Sequence, residues 1–169
     1  MSPPSFKKLF IFIFFLILII FIITPFTEKY GTFVDLDGYV GLIDHSELWR
    51  SVNLLAGGTY RFGDLVCHQQ FSRSLILNGS QMAICGRDFS ALTGLIIGLV
   101  SVYFIDLSKG EKKWPVIFII GAFVLLIIDW SVQHMYSLNI MSTRLVTGFL
   151  TGIAVAILTD YGLRRLNEG

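Results

Sequence analysis

A chain of 169 residues is one modest domain's worth of material, yet 54% of it is hydrophobic and only 15% charged, against about 25% charged in soluble domains. That balance excludes disorder, and the lack of charged heptads or of a repeat of about 20–50 residues argues against coiled coils and repeat arrays. Thirteen basic against twelve acidic residues, a net charge of +1, leave no electrostatic footprint for nucleic acid, and apolar residues gathered in long runs point to a protein whose partner is the lipid bilayer.

The first run, residues 9–23, holds no polar side chain and is extended by Phe6 and Phe26 to the roughly twenty residues that cross a hydrocarbon core. Lys7 and Lys8 precede it, which would also suit a signal peptide, but the boundary reads Ile23-Thr24-Pro25-Phe26 with no small-x-small cleavage site. The expectation is an uncleaved signal anchor.

Residues 27–48 mix acidic groups and glycines with scattered apolar side chains and read as loop with short strands at most. From residue 48 to 66 apolar residues recur at mixed helical spacing. This suits an interfacial or partly inserted helix ending near Cys67, although Gly57-Gly58 should interrupt it. Asn78-Gly79 then lies between apolar triplets, the strongest short-range hairpin signal. The turn accounts for these residues better than the N-glycosylation triplet Asn78-Gly79-Ser80 they also form. A hairpin here carries Cys67 and Cys85 towards each other.

Three more spans follow, at residues 89–107, 115 to about 133 and 145 to about 162. Lys109, Lys112 and Lys113 separate the second from the third, and Arg164 and Arg165 follow the fourth. With four spans, all these basic flanks fall on one side, which predicts that both termini are cytoplasmic. The fold expected is an all-α membrane protein, a four-helix transmembrane bundle with an extracytoplasmic loop and a short β-hairpin. Its parts are an anchor helix at 1–26, an outer segment with the Cys-His motif and hairpin at 27–87, a three-helix region at 88–163 and a cytoplasmic tail at 164–169. Gly94-x-x-x-Gly98 and Gly148-x-x-x-Gly152 suit close helix packing. Asp106 and Asp160, beside basic residues near the cytoplasmic ends, read as solvated interface charges, and His45 and His134 as surface histidines.

Chemistry-bearing residues gather at the outer face. The only two cysteines, Cys67 and Cys85, lie in the outer segment, Cys67 followed by His68 and Cys85 by Arg87 and Asp88. An even cysteine count outside the cytoplasm fits a disulfide first; thiolate, imidazole and carboxylate also suit zinc or another transition metal, the competing reading. Cys85-x-x-Asp88 can set two ligands on one turn, whereas adjacent Cys67 and His68 point apart on regular structure. Asp129 lies fourteen residues past Pro115, about 21 Å along a helix, with Gln133 on the same face. A charge there either pairs with Arg144 or Arg87 or serves a substrate or proton. P-loop, GxSxG and HExxH motifs are absent.

These residues also carry a resemblance. Cys67-His68-Gln69, Arg73-Ser74, Asn78-Gly79, Cys85-x-Arg87 and Thr93-Gly94, followed by Ile128-Asp129, Gln133, Arg144 and Thr147-Gly148, resemble a family of small prokaryotic integral membrane proteins labelled a domain of unknown function. The likeness covers about residues 60–155. Family members often carry cysteine where this chain has Asp88, and cysteine and aspartate are interchangeable as metal ligands but not as disulfide partners.

Together these features imply a metal site on Cys67, His68, Cys85 and Asp88, at even odds with a Cys67–Cys85 disulfide. In the first case the protein is a metal-binding membrane protein, at its most specific a metal-dependent enzyme acting on a lipid or other hydrophobic substrate. Asp129 would then be base or orienter, and Arg73, Arg87, Gln133 and Arg144 would contact an anionic group or substrate. In the second it is a non-catalytic subunit or structural protein, with a membrane-protein partner or a second copy of itself. A transporter is the weaker reading, because four helices without an inverted repeat leave little room for a midplane site.

Overall fold

A computed structural model describes residues 3–104 and 113–168, with backbone alone for 3–5 and 164–168. In chain order the elements are α1 (Pro3–Ile23), a 3₁₀ turn (Thr24–Phe26), α2 (Ser46–Ser51), α3 (Leu54–Val66), a second 3₁₀ turn (Phe71–Arg73), β1 (Ser74–Leu77), β2 (Ser80–Cys85), α4 (Gly86–Phe104), α5 (Lys113–Met135) and α6 (Met141–Glu168). Four segments are long and apolar enough to cross a membrane: Phe6–Phe26, Gly86–Phe104, Lys113–Met135 and Met141–Leu163. The four expected spans are therefore present, and the chain is an integral membrane protein. The basic cluster at 109–112, Asp106 and the end of the second expected span lie outside the described residues, as do the side chains of Arg164 and Arg165.

Contacts divide the chain into two units, one of residues 1–16 and 89–169, the other of residues 17–88. In the first, α6 touches the other three helices. Gly94 and Gly98 of α4 face Gly152 of α6 so closely that an added Cβ would stand 2.1 Å from the Phe149 carbonyl oxygen, 2.6 Å from Ala156 Cβ and 2.0 Å from the Ala91 carbonyl oxygen, respectively. The small-residue stripes are thus the packing face, as membrane helices use them. Thr143 and Thr147 of α6 meet Gln133 and Asp129 of α5. Ala122 and Gln133 are the buried residues of α5, and many of its other apolar side chains are exposed, as on a helix suited to face lipid.

Asp160 departs from expectation. It is 1% exposed and forms an ion pair with Lys7 of α1, whose side chain is 12% exposed. A charge so deep in a membrane helix bundle persists because it is paired, and its partner lies some 150 residues away in sequence, where no local pattern reveals it.

In the second unit, Phe33, Trp49 and Tyr60 stack into a small aromatic core, with ring centroids 4.0 Å apart for Phe33–Tyr60 and 5.1 Å for Trp49–Tyr60. Residues 27–45 hold turns and no strand, yet they lie along β2: Gln81 N–H donates to the Phe33 carbonyl at 2.7 Å, and Leu36 N–H donates to Gln81 Oε1 at 3.0 Å. The hairpin forms as expected, β1 antiparallel to β2 with Leu77 opposite Ser80, and Asn78 and Gly79 both take positive φ, 52° and 67°. Asn78 Nδ2 donates to the carbonyls of Pro25 and Glu28, so its amide holds the turn to the chain beyond α1.

Gly57-Gly58 does not interrupt the helix. The break falls at Val52-Asn53, where Asn53 Oδ1 accepts from Ala56 N–H at 2.9 Å and caps α3. An added Cβ on Gly57 would stand 2.3 Å from the Trp49 carbonyl oxygen. The glycine lets α2 fold back onto α3, and that tertiary contact outweighs the loss of helix propensity, about 1 kcal/mol.

Candidate metal centre

Three residues of the second unit, from α3, β2 and the first turn of α4, bring the centre together. Cys67 closes α3, its N–H donating to the Gly63 carbonyl at 2.8 Å; Cys85 ends β2; Asp88 lies in the first turn of α4. One donor atom from each, Sγ of the cysteines and a carboxylate oxygen of Asp88, lies within 4.8 Å of the other two. Donors about 2.0–2.3 Å from a tetrahedral zinc stand roughly 3.3–3.8 Å apart, so the set needs only a small contraction to close on an ion.

Hydrogen bonds already orient the sulfurs. Cys85 N–H donates to Cys67 Sγ at 3.1 Å, and Cys85 Sγ–H donates to Asp88 Oδ2 at 3.1 Å. Cys67 is buried and Cys85 half-buried, and both are free thiols. Hydrogen bonding to Cys85 pushes the Cys67 thiol far above its ordinary range, with burial adding to the shift. The same bond draws Cys85 below that range, helped by the Asp88 N–H and opposed by burial. The pair is therefore asymmetric, with Cys85 the more acidic of the two sulfurs and the readier to give the thiolate that binds metal.

Gly63, which the sequence reading passed over, and Gln69, which it carried only as part of the Cys-His-Gln motif, hold this geometry. Gly63 faces Ala83 of β2, where an added Cβ would stand 2.2 Å from the Ala83 carbonyl oxygen and 2.3 Å from Gln69 Nε2, so glycine is what lets α3 approach the hairpin. Gln69 is 1% exposed with φ of 46°. Its Nε2 donates to the Tyr60 carbonyl at 2.7 Å, and its own carbonyl accepts from Gln81 Nε2. The Cys-His-Gln element thus contains one ligand candidate and one buried bracket. Such brackets leave no local signal, since both act through contacts distant in sequence.

The other expected site residues divide between the units. His68 is exposed and lies outside the three-residue group, as the opposed directions of neighbouring side chains require. Arg73, at the end of the second 3₁₀ turn, and Arg87, in the first turn of α4, are half-buried. In the first unit, Gln133 Nε2 donates to Asp129 Oδ1 at 2.7 Å and to Thr143 Oγ1 at 2.9 Å. Thr147 Oγ1 donates to Asp129 Oδ2 at 3.3 Å, and Arg144 is buried in the first turn of α6. Asp129 and Gln133 thus share a helix face, as their i, i+4 spacing predicts, beside an apolar groove of about 460 Å³. His134 stacks on Trp130 at 5.5 Å and His45 packs against Trp49 at 5.7 Å.

Residues 67–158, just over half of the chain, match the family described as "Predicted membrane protein (DUF2085)". The chain belongs to this family. A relative, "Uncharacterized protein MJ1492" of Methanocaldococcus jannaschii, is 31% identical over 123 residues, covering 69% of this chain and 72% of the relative. No solved structure matches. The family region opens on Cys67 and includes Cys85, Asp88 and the whole of α4 and α5.

Proposed function

We propose that this membrane protein holds a transition-metal ion, zinc foremost, on Cys67, Cys85 and Asp88. The observation that carries the reading is the convergence of two sulfurs and a carboxylate within 4.8 Å, the mixed donor set a borderline metal prefers. Three protein ligands leave a fourth position for water or a substrate atom, the arrangement of catalytic rather than structural zinc. An ion there would polarise a carbonyl or phosphoryl group or activate water. The surrounding bilayer supports a hydrophobic substrate, and Arg87, two residues beyond Cys85, supplies a cation near an anionic group.

Metal content and free thiols of the purified protein test this. About one metal per chain is expected, falling severalfold in Cys85→Ser and in Asp88→Ala while two thiols stay titratable in metal-free protein. The second reading, a Cys67–Cys85 disulfide in a non-catalytic subunit, rests on the same closeness of the sulfurs. It predicts no metal, no free thiol and indifference to Asp88→Ala.

The proposal includes orientation. The basic flanks, Lys7 and Lys8 before the first span and Arg164 and Arg165 after the fourth, favour cytoplasmic termini and with them an extracytoplasmic segment at 27–87. A reporter fused to the C-terminus that is active only in cytoplasm should be active; activity solely of a reporter specific for the outer compartment would reverse the assignment.

A further inference from the structure

Helix α3 is amphipathic in the inverse sense to a helix of a soluble protein. Its exposed positions are Leu54, Leu55, Gly58, Phe62, Leu65 and Val66, spaced so that they form one face. Leu54 is 94% exposed and Phe62 50%. No polar side chain is exposed on the helix. Thr59 and Asp64 are buried, Asp64 taking a hydrogen bond from Trp49 Nε1 at 2.6 Å, and Arg61 is half-buried. Water is the wrong solvent for such a face, since exposed apolar patches of this extent mark contact with another apolar phase.

The position of the face says which phase. Phe62 packs on Phe21, with ring centroids 6.2 Å apart, and Thr24 Oγ1 donates to Thr59 Oγ1 at 3.3 Å. Phe21 and Thr24 belong to the span Phe6–Phe26. Phe21 lies five residues short of its end, about 7–8 Å along the helix axis. That depth falls in the range of about 5–10 Å to which interfacial helices sink. Between the two helices runs a groove of about 540 Å³ whose walls include Ile17, Ile20, Phe21, Leu55 and Phe62, a shape and chemistry suited to an acyl chain.

We infer that α3 is embedded in the bilayer, with the face Leu54, Leu55, Gly58, Phe62, Leu65 and Val66 against lipid acyl chains and one chain filling the groove beside α1. Because Cys67 closes α3, the cysteine–aspartate cluster then stands at the boundary of lipid and water. If the cluster holds a metal, an assignment that rests on the function proposed above, the polar end of a membrane amphiphile such as a lipid headgroup is the ligand this position brings within reach.

The whole protein, reconstituted in phosphatidylcholine vesicles doped with a phosphatidylcholine carrying an acyl-chain diazirine, tests the inference. After illumination and digestion, carbene adducts are expected on Leu54, Leu55, Phe62, Leu65 and Val66 at levels comparable to Ile117, Ile120 and Val124 of α5, with buried Tyr60 unlabelled. Adducts on α5 but none on residues 54–66 would overturn it. Adducts on α3 that emerge only as protein is diluted in lipid would assign the face to a second copy of the chain and overturn it equally. Lipid labelling and metal content are separate readouts, so failure of one leaves the other standing.

Discussion

At the scale of single residues, Gly63 and Gly58 make a matched pair on one helix. Gly63 sits against the Ala83 carbonyl with no room for a methyl group, whereas nothing stands within 4 Å of a Cβ on Gly58. Gly63→Ala should therefore push α3 off β2, separating Cys67 from Cys85. We expect a loss of about 1–3 kcal/mol, the usual penalty of overpacking, together with a severalfold fall in metal content. Gly58→Ala should be neutral or slightly stabilising, as Gly-to-Ala changes in helices generally are. Unfolding in detergent and metal analysis of both variants check this. Equal behaviour of the two would mean that the Gly63 contact does not position the centre.

At the scale of elements, the contact between α4 and α6 depends on glycines, while α5 leaves many apolar side chains exposed. Gly152→Leu should split α4 from α6, because the added side chain meets the Ala91 carbonyl and the Leu95 amide. Steric exclusion in a packed helix pair costs about 1–3 kcal/mol or more, read as a lower midpoint in denaturing detergent. Gly121→Ala on α5, which meets nothing within 4 Å, is the control. Which elements could be foreseen follows from where their causes lie. The spans declare themselves through long apolar runs, the hairpin through Asn78-Gly79, and the Cys85–Asp88 contact through a spacing of one turn. Helix α3 running through Gly57-Gly58 did not, since its reason is the Trp49 carbonyl against Gly57. Nor did the role of residues 27–45, whose Phe33 and Leu36 join the core through β2 and the rings of Trp49 and Tyr60. Each of these depends on partners far along the chain.

At the scale of the whole molecule, charge is scarce and concentrated where it has work to do. The Lys7–Asp160 pair joins the first span to the last, where the sequence reading had a basic flank and a solvated interface charge. His68, a metal-type side chain next to a ligand candidate, is exposed and stands outside the three-residue group. The donors Cys67, Cys85 and Asp88 all lie in the second unit and converge from α3, β2 and the first turn of α4, and the claim that they hold a metal is central. Metal-edge X-ray absorption on protein loaded with one equivalent of zinc tests it most directly. The account predicts two sulfur neighbours at about 2.3 Å with oxygen or nitrogen completing four-coordination. A shell of oxygen and nitrogen alone, with no sulfur, would contradict it.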